Sequence, residues 1–290
     1  MQAKSFPNSK KWLSGLKDSC TYGGKLLCVP YYTGARAVIY RKDYYSAAGL
    51  KVRRRRWISS SPTEEADEEV RFGPKLLGLL LPGKNWYASM GFVYDYGGQI
   101  ASSQGRKVER NAQLSAGDSR LDEAEERRRA LSRAPLTVDE AHPYPSIPFG
   151  KGSVASFVGN GWEWPYTLDP KVGNPDLAPV MAAYPMPSHI KGRYMPTFLG
   201  GSDLAVPITS SKKSLAVDWI AAFTNSANMR ASREGGGNIP NATSLVGLTK
   251  GNPKVEPFAK AAKYSWFIPK SPTGQMSRMP TYFRTCARKS

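Results

Sequence analysis

Apolar positions along the chain fall into short runs separated by Gly- and Pro-rich breaks. Between residues 19 and 39 the pattern predicts strand, turn and strand. Residues 26–30 are a short apolar run, and Tyr22-Gly23-Gly24-Lys25 is a hairpin turn sequence. Residues 37–40 are β-branched and aromatic, hence a strand, and Asp43 is expected to cap a short helix that Gly49 ends. Residues 72–81 predict a buried segment. Pro82-Gly83-Lys84-Asn85 breaks the chain, and residues 86–96 carry apolar side chains at helical spacing. Residues 154–158 predict a strand stopped by Gly159-Asn160-Gly161, and residues 204–208 another. Ser210 or Ser211 is expected to cap a helix whose apolar face holds Leu215, Val217, Trp219, Ile220 and Phe223, and residues 253–264 read as a further helix. Strands alternating with helices define an α/β protein, and no fixed-period repeat stands out.

Composition sharpens this. Of 290 residues, 40% are apolar and 11% aromatic, enough to bury a sizeable core and too many for a disordered chain. The longest apolar run, 76–81, is interrupted by Gly78, so no transmembrane helix is predicted. The opening residues 1–11 are polar, so no export signal is expected in the chain as it stands. Two His and three Cys argue against a zinc site built from them, and no metal or cofactor is expected. Cys20 and Cys28 flank the hairpin turn. Across it they reach disulfide distance, and a pair of free thiols in a reducing compartment is the other reading.

The net charge of +18 suggests a polyanion partner, but its distribution does not. Residues 51–71 hold Arg53-Arg54-Arg55-Arg56 and then five acids, and balance to +1. Residues 104–134 balance to +2, and residues 270–290, with no acid, carry +5. Opposite charges largely cancel, no stripe of one sign forms, and only Trp57 lies beside the Arg run. A solvated loop accounts for it better than a phosphate-binding patch, and no nucleic-acid partner is expected.

Phosphate loop, dinucleotide fingerprint and nucleophile elbow are all missing, and Gly235-Gly236-Gly237 reads as a helix stop. His142 and His189 sit in Pro-rich loops with no carboxylate at a useful spacing. Asn241-Ala242-Thr243 is a glycosylation sequon of little weight. What stands out is aromatic residues beside turns, in Pro30-Tyr31-Tyr32, Asn85-Trp86-Tyr87 and Gly161-Trp162-Glu163-Trp164. A sugar presents apolar C–H faces and a belt of hydroxyls. It needs rings to stack on and amides, carboxylates or Arg to bond the hydroxyls. Asn85 accompanies Trp86, Arg36 accompanies Tyr32, and Asn160 and Glu163 accompany Trp162. Core aromatics at strand ends are the competing reading.

At these residues the chain resembles the extracellular solute-binding proteins of family 1, the sugar-binding lipoproteins of ABC importers, in their actinobacterial form. The likeness rests on Cys28-Val29-Pro30-Tyr31-Tyr32-Thr33-Gly34-Ala35-Arg36, Tyr40-Arg41-Lys42-Asp43, Pro82-Gly83-Lys84-Asn85-Trp86-Tyr87, Tyr94-Asp95-Tyr96-Gly97-Gly98, Gly159-Asn160-Gly161-Trp162-Glu163-Trp164 and Phe198-Leu199-Gly200-Gly201-Ser202-Asp203-Leu204-Ala205-Val206. It covers about two-thirds of the chain. The resemblance implies two α/β lobes of the periplasmic-binding-protein type II fold, joined by crossing strands, with sugar held in the cleft and closure by hinge motion. It implies residues 1–34 as a remnant of an incomplete lobe 1, 35–195 as lobe 2, 196–248 as a return to lobe 1, and 249–290 as the end of lobe 2 with an aberrant tail. It implies no enzyme activity. Tyr32, Arg36, Asn85, Trp86, Asn160, Trp162, Glu163, Gly200 and Gly201 become candidate sugar contacts, with Trp86 and Trp162 as stacking rings. Partners are an oligosaccharide and the permease subunits of the importer, the protein acts as a monomer, and the location is extracellular or at the cell surface.

The likeness lapses over 51–71, 104–134 and 273–290 and resumes in register. The family's lipoprotein signal and long opening segment are not seen before Met1. Where the family commonly continues Asn-Trp-Ala-Asn, this chain has Thr273-Gly274-Gln275-Met276, which the same codons give one base later. These stretches therefore read as out-of-frame translation, and sugar binding is expected to be impaired. A product of a decayed gene and a carbohydrate-active enzyme are the alternatives. The enzyme would need two acids flanking a bond, and only Glu163 and Asp203 lie in motifs.

Overall fold

The computed structural model describes residues 3–50, 72, 76–98, 101–104, 107–110, 119–132, 134–135, 137–138, 144–236 and 238–266. The Arg run at 53–56 with the rest of 51–71, His142, and the tail 267–290 lie outside the described residues. Among those described, no helix is long and apolar enough to cross a membrane.

A four-stranded sheet forms the larger core. Its order is Leu77–Leu80, Val154–Asn160, Arg36–Arg41 and Met181–Tyr184, the first pair parallel and the others antiparallel. Its two central strands are covered on both faces, which is why they read as near-continuous apolar runs. Strand alternation sends Ala37 and Ile39 to one face, against Phe149, Phe157, Trp164 and Phe258. Val38 and Val158 go to the other, against Met90, Phe92 and Val93 of the helix Trp86–Asp95. Phe157 is fully buried, and truncating such a side chain to Ala costs about 3–5 kcal/mol.

The helix Trp86–Asp95 begins just after the expected break, and Asn85 caps it: its carboxamide oxygen accepts the Ala88 N–H at 3.0 Å. Gly97, at φ +81°, turns the chain away beyond its end. A second helix, Ser119–Leu131, lies in a stretch where the sequence shows no family likeness. It packs Leu121, Ala124 and Leu131 into the same cluster. The Ser132 hydroxyl that follows accepts from the Leu81 N–H and donates to the Leu79 carbonyl, satisfying the end of the neighbouring strand.

A smaller sheet orders Gly200–Leu204, Val29–Gly34 and Ile239–Pro240, all antiparallel. Behind it Phe6, Trp12, Cys20, Leu26, Val29 and Ile220 form a separate cluster. The hairpin Thr21–Tyr22 and Lys25–Leu26 turns on Gly23 (φ +56°) and Gly24 (φ +75°), both left-handed as a type I′ turn requires. Cys20 and Cys28, at its ends, are joined by a disulfide with Cα atoms 4.8 Å apart.

Several local expectations shift. The residue preceding the helix Lys42–Ala47 is Arg41, and Asp43 lies in the first turn, bonded back to Arg41. Gly159 and Asn160 do not stop their strand but continue it opposite Ala37 and Arg36. The strand expected at 204–208 lies earlier, at Gly200–Leu204, and Ile208 is 86% exposed. Lys212, not a serine, precedes the helix Lys213–Phe223. Of that helix's apolar face Ile220 is buried, while Leu215 and Trp219 are exposed. The sequon residue Asn241 is fully buried: its side chain donates to the Pro30 carbonyl and accepts from Asn8. His189 does meet a carboxylate, Asp95, 94 residues away in sequence, its Nδ1 lying 3.0 Å from Oδ2.

Candidate functional site

Only Ala35 separates the strand Val29–Gly34 of the small sheet from Arg36–Arg41 of the large one, so the chain crosses between sheets there. A second segment leads into the small sheet, from Thr197–Phe198, which pairs with Ser265–Trp266 in a separate two-stranded parallel sheet, to Gly200–Leu204. The two are tied together. The Thr33 hydroxyl donates to the Gly200 carbonyl at 2.7 Å, and the Arg36 N–H donates to Thr197 Oγ1 at 3.1 Å. Gly200 pairs with Gly34 and Gly201 with Thr33. Gly201 has φ +142°, and a Cβ there would lie 2.2 Å from the Tyr32 carbonyl oxygen, so only glycine lets these backbones approach. A Cβ on Gly34 would lie 3.3 Å from Asn160 Oδ1, which brings Asn160 to the same crossing.

The N-terminal end of the helix Trp86–Asp95 faces these two segments. Its Gly91 backbone abuts Pro196, whose carbonyl oxygen is 2.7 Å from where a Cβ would stand. Trp86 stacks on Tyr87 with centroids 3.8 Å apart, and both rings contact Phe198. The Arg36 guanidinium lies over Tyr87, its carbon 4.6 Å from the centroid. Arg36, Tyr87, Gly91, Met195 and Thr197 line a small recess. Tyr32 is half-buried on the small sheet, edge-to-face with Tyr31, and its hydroxyl oxygen accepts from Ser202 Oγ at 3.3 Å.

The structure thus gathers Tyr32, Arg36, Asn160, Gly200 and Gly201 where the two segments meet, with Trp86 beside them through Tyr87 and Phe198. Asn85 and Glu163 face inward. Asn85 is 1% exposed and spends its oxygen on the helix cap. Glu163 is 5% exposed and its Oε2 accepts the Asn160 N–H at 2.5 Å, closing the turn before the helix Glu163–Thr167. Trp162 stands in a ring cluster of its own. It is 36% exposed and edge-to-face with Tyr144 and Tyr166, each at 6.3 Å. Tyr87, Thr197, Tyr144 and Tyr166 are the polar and aromatic members that sequence reasoning missed. Tyr87 adjoins a recognised motif and Tyr166 follows Trp162 at helical i+4 spacing. Nothing in the sequence signals Tyr144 or Thr197.

Together these features are a small and a large sheet joined by one crossing segment, with a second segment from a two-stranded sheet tied to it and rings, a guanidinium and amides at the junction, the layout of a binding protein. Residues 2–257 match the family described as bacterial extracellular solute-binding protein, and the chain belongs to that family, one of solute-binding proteins rather than enzymes. It is 30% identical over 256 residues to the diacetylchitobiose binding protein DasA of Streptomyces coelicolor, covering 87% of this chain and 57% of DasA. The chain therefore spans little more than half the length of that relative. The fold resembles the GacH receptor of Streptomyces glaucescens (TM-score 0.78, 17% identity, 98% of this chain and 71% of that one). It also resembles the maltotriose binding protein of Thermus thermophilus (TM-score 0.71, 20% identity, 96% and 70%). These likenesses show the mixed α/β fold of the two-lobed sugar-binding proteins.

Proposed function

We propose that the chain is the carbohydrate-binding component of an ABC importer, taking an oligosaccharide where the crossing strands meet the helix Trp86–Asp95 and delivering it to a membrane permease. The observation that carries this reading is the convergence of Arg36, Asn160 and the Trp86–Tyr87 ring pair on the junction between the two sheets, in a chain of a solute-binding family. Rings supply stacking faces, and the guanidinium and carboxamide supply hydrogen bonds to hydroxyls. In this reading the small sheet belongs to lobe 1 (1–34 and 196–248) and the large one to lobe 2 (35–195 and 249–290). The two joined segments are the hinge, and Tyr32, Gly200 and Gly201 form the floor. Trp162 offers a stacking ring on lobe 2. The protein works as a monomer at or outside the cell surface. DasA is named for binding diacetylchitobiose, so that disaccharide is the first ligand to test.

The test is titration of the protein with diacetylchitobiose and with maltotriose, followed by Trp fluorescence and calorimetry. Saturable binding, in the millimolar range or tighter, weakened about tenfold or more by Trp86→Ala, is the expected result, the scale of burying one large apolar side chain. No saturable response to any di- or trisaccharide would overturn it.

A further inference from the structure

The small recess beside the crossing segment has two unlike parts. Ala88, Val158, Met186 and Met195, all buried, make its bottom, and Arg36 and Tyr87, both half-buried, stand at its mouth. The lining is almost wholly carbon, and the free space is about that of one water molecule or one methyl group. A water held there would want about two to four polar partners. Among the buried members the one hydroxyl is that of Thr197, and it already accepts the Arg36 N–H at 3.1 Å. The space therefore favours a methyl group over a water or a hydroxyl.

We propose that this recess selects N-acetylated sugars: the methyl of one acetamido group enters between Val158, Met186 and Met195, and its carbonyl oxygen accepts from the Arg36 guanidinium at the mouth. The inference rests on the sugar-binding reading and adds to it which substituent of the sugar is recognised.

An acetamido group carries its methyl and its carbonyl oxygen on the same carbon. A methyl at the bottom thus leaves the oxygen at the mouth, where the guanidinium is held over the Tyr87 ring, 4.6 Å from its centroid. A sugar hydroxyl in the same place would exchange its bonds to water for a carbon surface, and a carboxylate would meet the cation but be repelled by the apolar bottom. Two thioethers suit a methyl, because methionine is polarisable and adapts its shape to what it packs against. Glycine at position 91 leaves Met195 its room: a Cβ there would stand 3.0 Å from the Met195 Cε. The Trp86–Tyr87 ring pair, with centroids 3.8 Å apart, offers a stacking face beside the same mouth for the sugar ring that bears the group.

The test is a ligand series on the unaltered protein, followed by calorimetry and saturation-transfer NMR. Its members are diacetylchitobiose, cellobiose, which has hydroxyls where the acetamido groups stand, and the di-N-propionyl and di-N-glycolyl forms of chitobiose. Diacetylchitobiose should bind about tenfold or more tighter than cellobiose, the combined scale of one buried methyl and one hydrogen bond to a charged group. It should also exceed both enlarged analogues, and its methyl protons should receive the strongest saturation. Val158→Ala widens the bottom and should bring the N-propionyl form close to the affinity of diacetylchitobiose, with circular dichroism confirming the fold. Cellobiose binding as tightly as diacetylchitobiose, the N-propionyl form binding as tightly in the unaltered protein, or no recovery in folded Val158→Ala would overturn the proposal while leaving sugar binding standing. Failure of every sugar to bind would overturn both. If Val158→Ala does not fold, the series on the unaltered protein decides alone.

Discussion

Arg36 holds its guanidinium carbon 4.6 Å from the centre of the Tyr87 ring, clamping the first residue of a crossing strand to the first turn of the helix Trp86–Asp95. A cation over a ring contributes about 0.5–1 kcal/mol at a partly exposed site. Replacing Tyr87 with Leu keeps apolar bulk and removes the ring face, so it should lower stability by about that amount in urea unfolding. If the ring pair meets sugar, calorimetry should show affinity falling by a larger factor than stability alone accounts for.

Gly201 makes the sharpest steric prediction. Alanine there meets the Tyr32 carbonyl and the Thr33 Cα, both backbone atoms, at a φ that side chains avoid. Gly201→Ala should cost about 1–3 kcal/mol by chemical denaturation. Gly247, whose added Cβ meets nothing within 4 Å and whose φ is ordinary, is the control, and its replacement by Ala should be neutral or slightly stabilising.

Glu163 tests whether a residue picked for sugar contact instead holds the turn. Its carboxylate is buried and accepts the Asn160 N–H, so Glu163→Ala should lower unfolding free energy by about 1.5–3 kcal/mol, the scale of a charged hydrogen bond. Trp162→Ala, at an exposed ring, should change stability by much less, within about 1 kcal/mol.

The disulfide closes a short loop, its two cysteines eight positions apart in sequence. Loop-closure entropy for that length gives about 2.5 kcal/mol. Non-reducing peptide mapping should recover the Cys20–Cys28 cross-link, and Cys20→Ser with Cys28→Ser should lower the urea midpoint correspondingly.

Two aspartates should respond to acid in opposite senses. The hydrogen bond from Arg41 holds the Asp43 carboxyl below its usual value, so Asp43 lends stability that is complete above its unfolded pKa and fades as pH drops from about 4. Burial raises Asp203, so its contribution is best below the unfolded pKa and is lost as pH rises through the native value. Asp43→Asn should therefore lose stability mainly at neutral pH. Asp203→Asn should gain there and change little in acid. Unfolding by urea between about pH 3 and pH 7 separates the two.

What the sequence determined by itself was whatever depends on neighbours along the chain. The Gly23-Gly24 turn, the helix that starts after the break at Asn85 and the strand through Ala37, Val38 and Ile39 are set by backbone conformations that local residue types select, and those were legible. Asn160, Gly200 and Gly201 could be named from their motif, but not the approach of Gly201 to Tyr32 or the pairing of Gly34 with Gly200. Those depend on residues about 170 positions apart meeting in one sheet. The tertiary structure alone turned Asn85 and Glu163 inward, set Tyr87 under Arg36 and brought Asp95 to His189 and Asp203 to the cysteines. It also left Leu215 and Trp219 exposed on a helix whose spacing predicted burial. The reason is physical: apolar spacing says which side chains gain by leaving water, but which surface receives them, and which polar atoms are left at its rim, is decided only when distant segments pack.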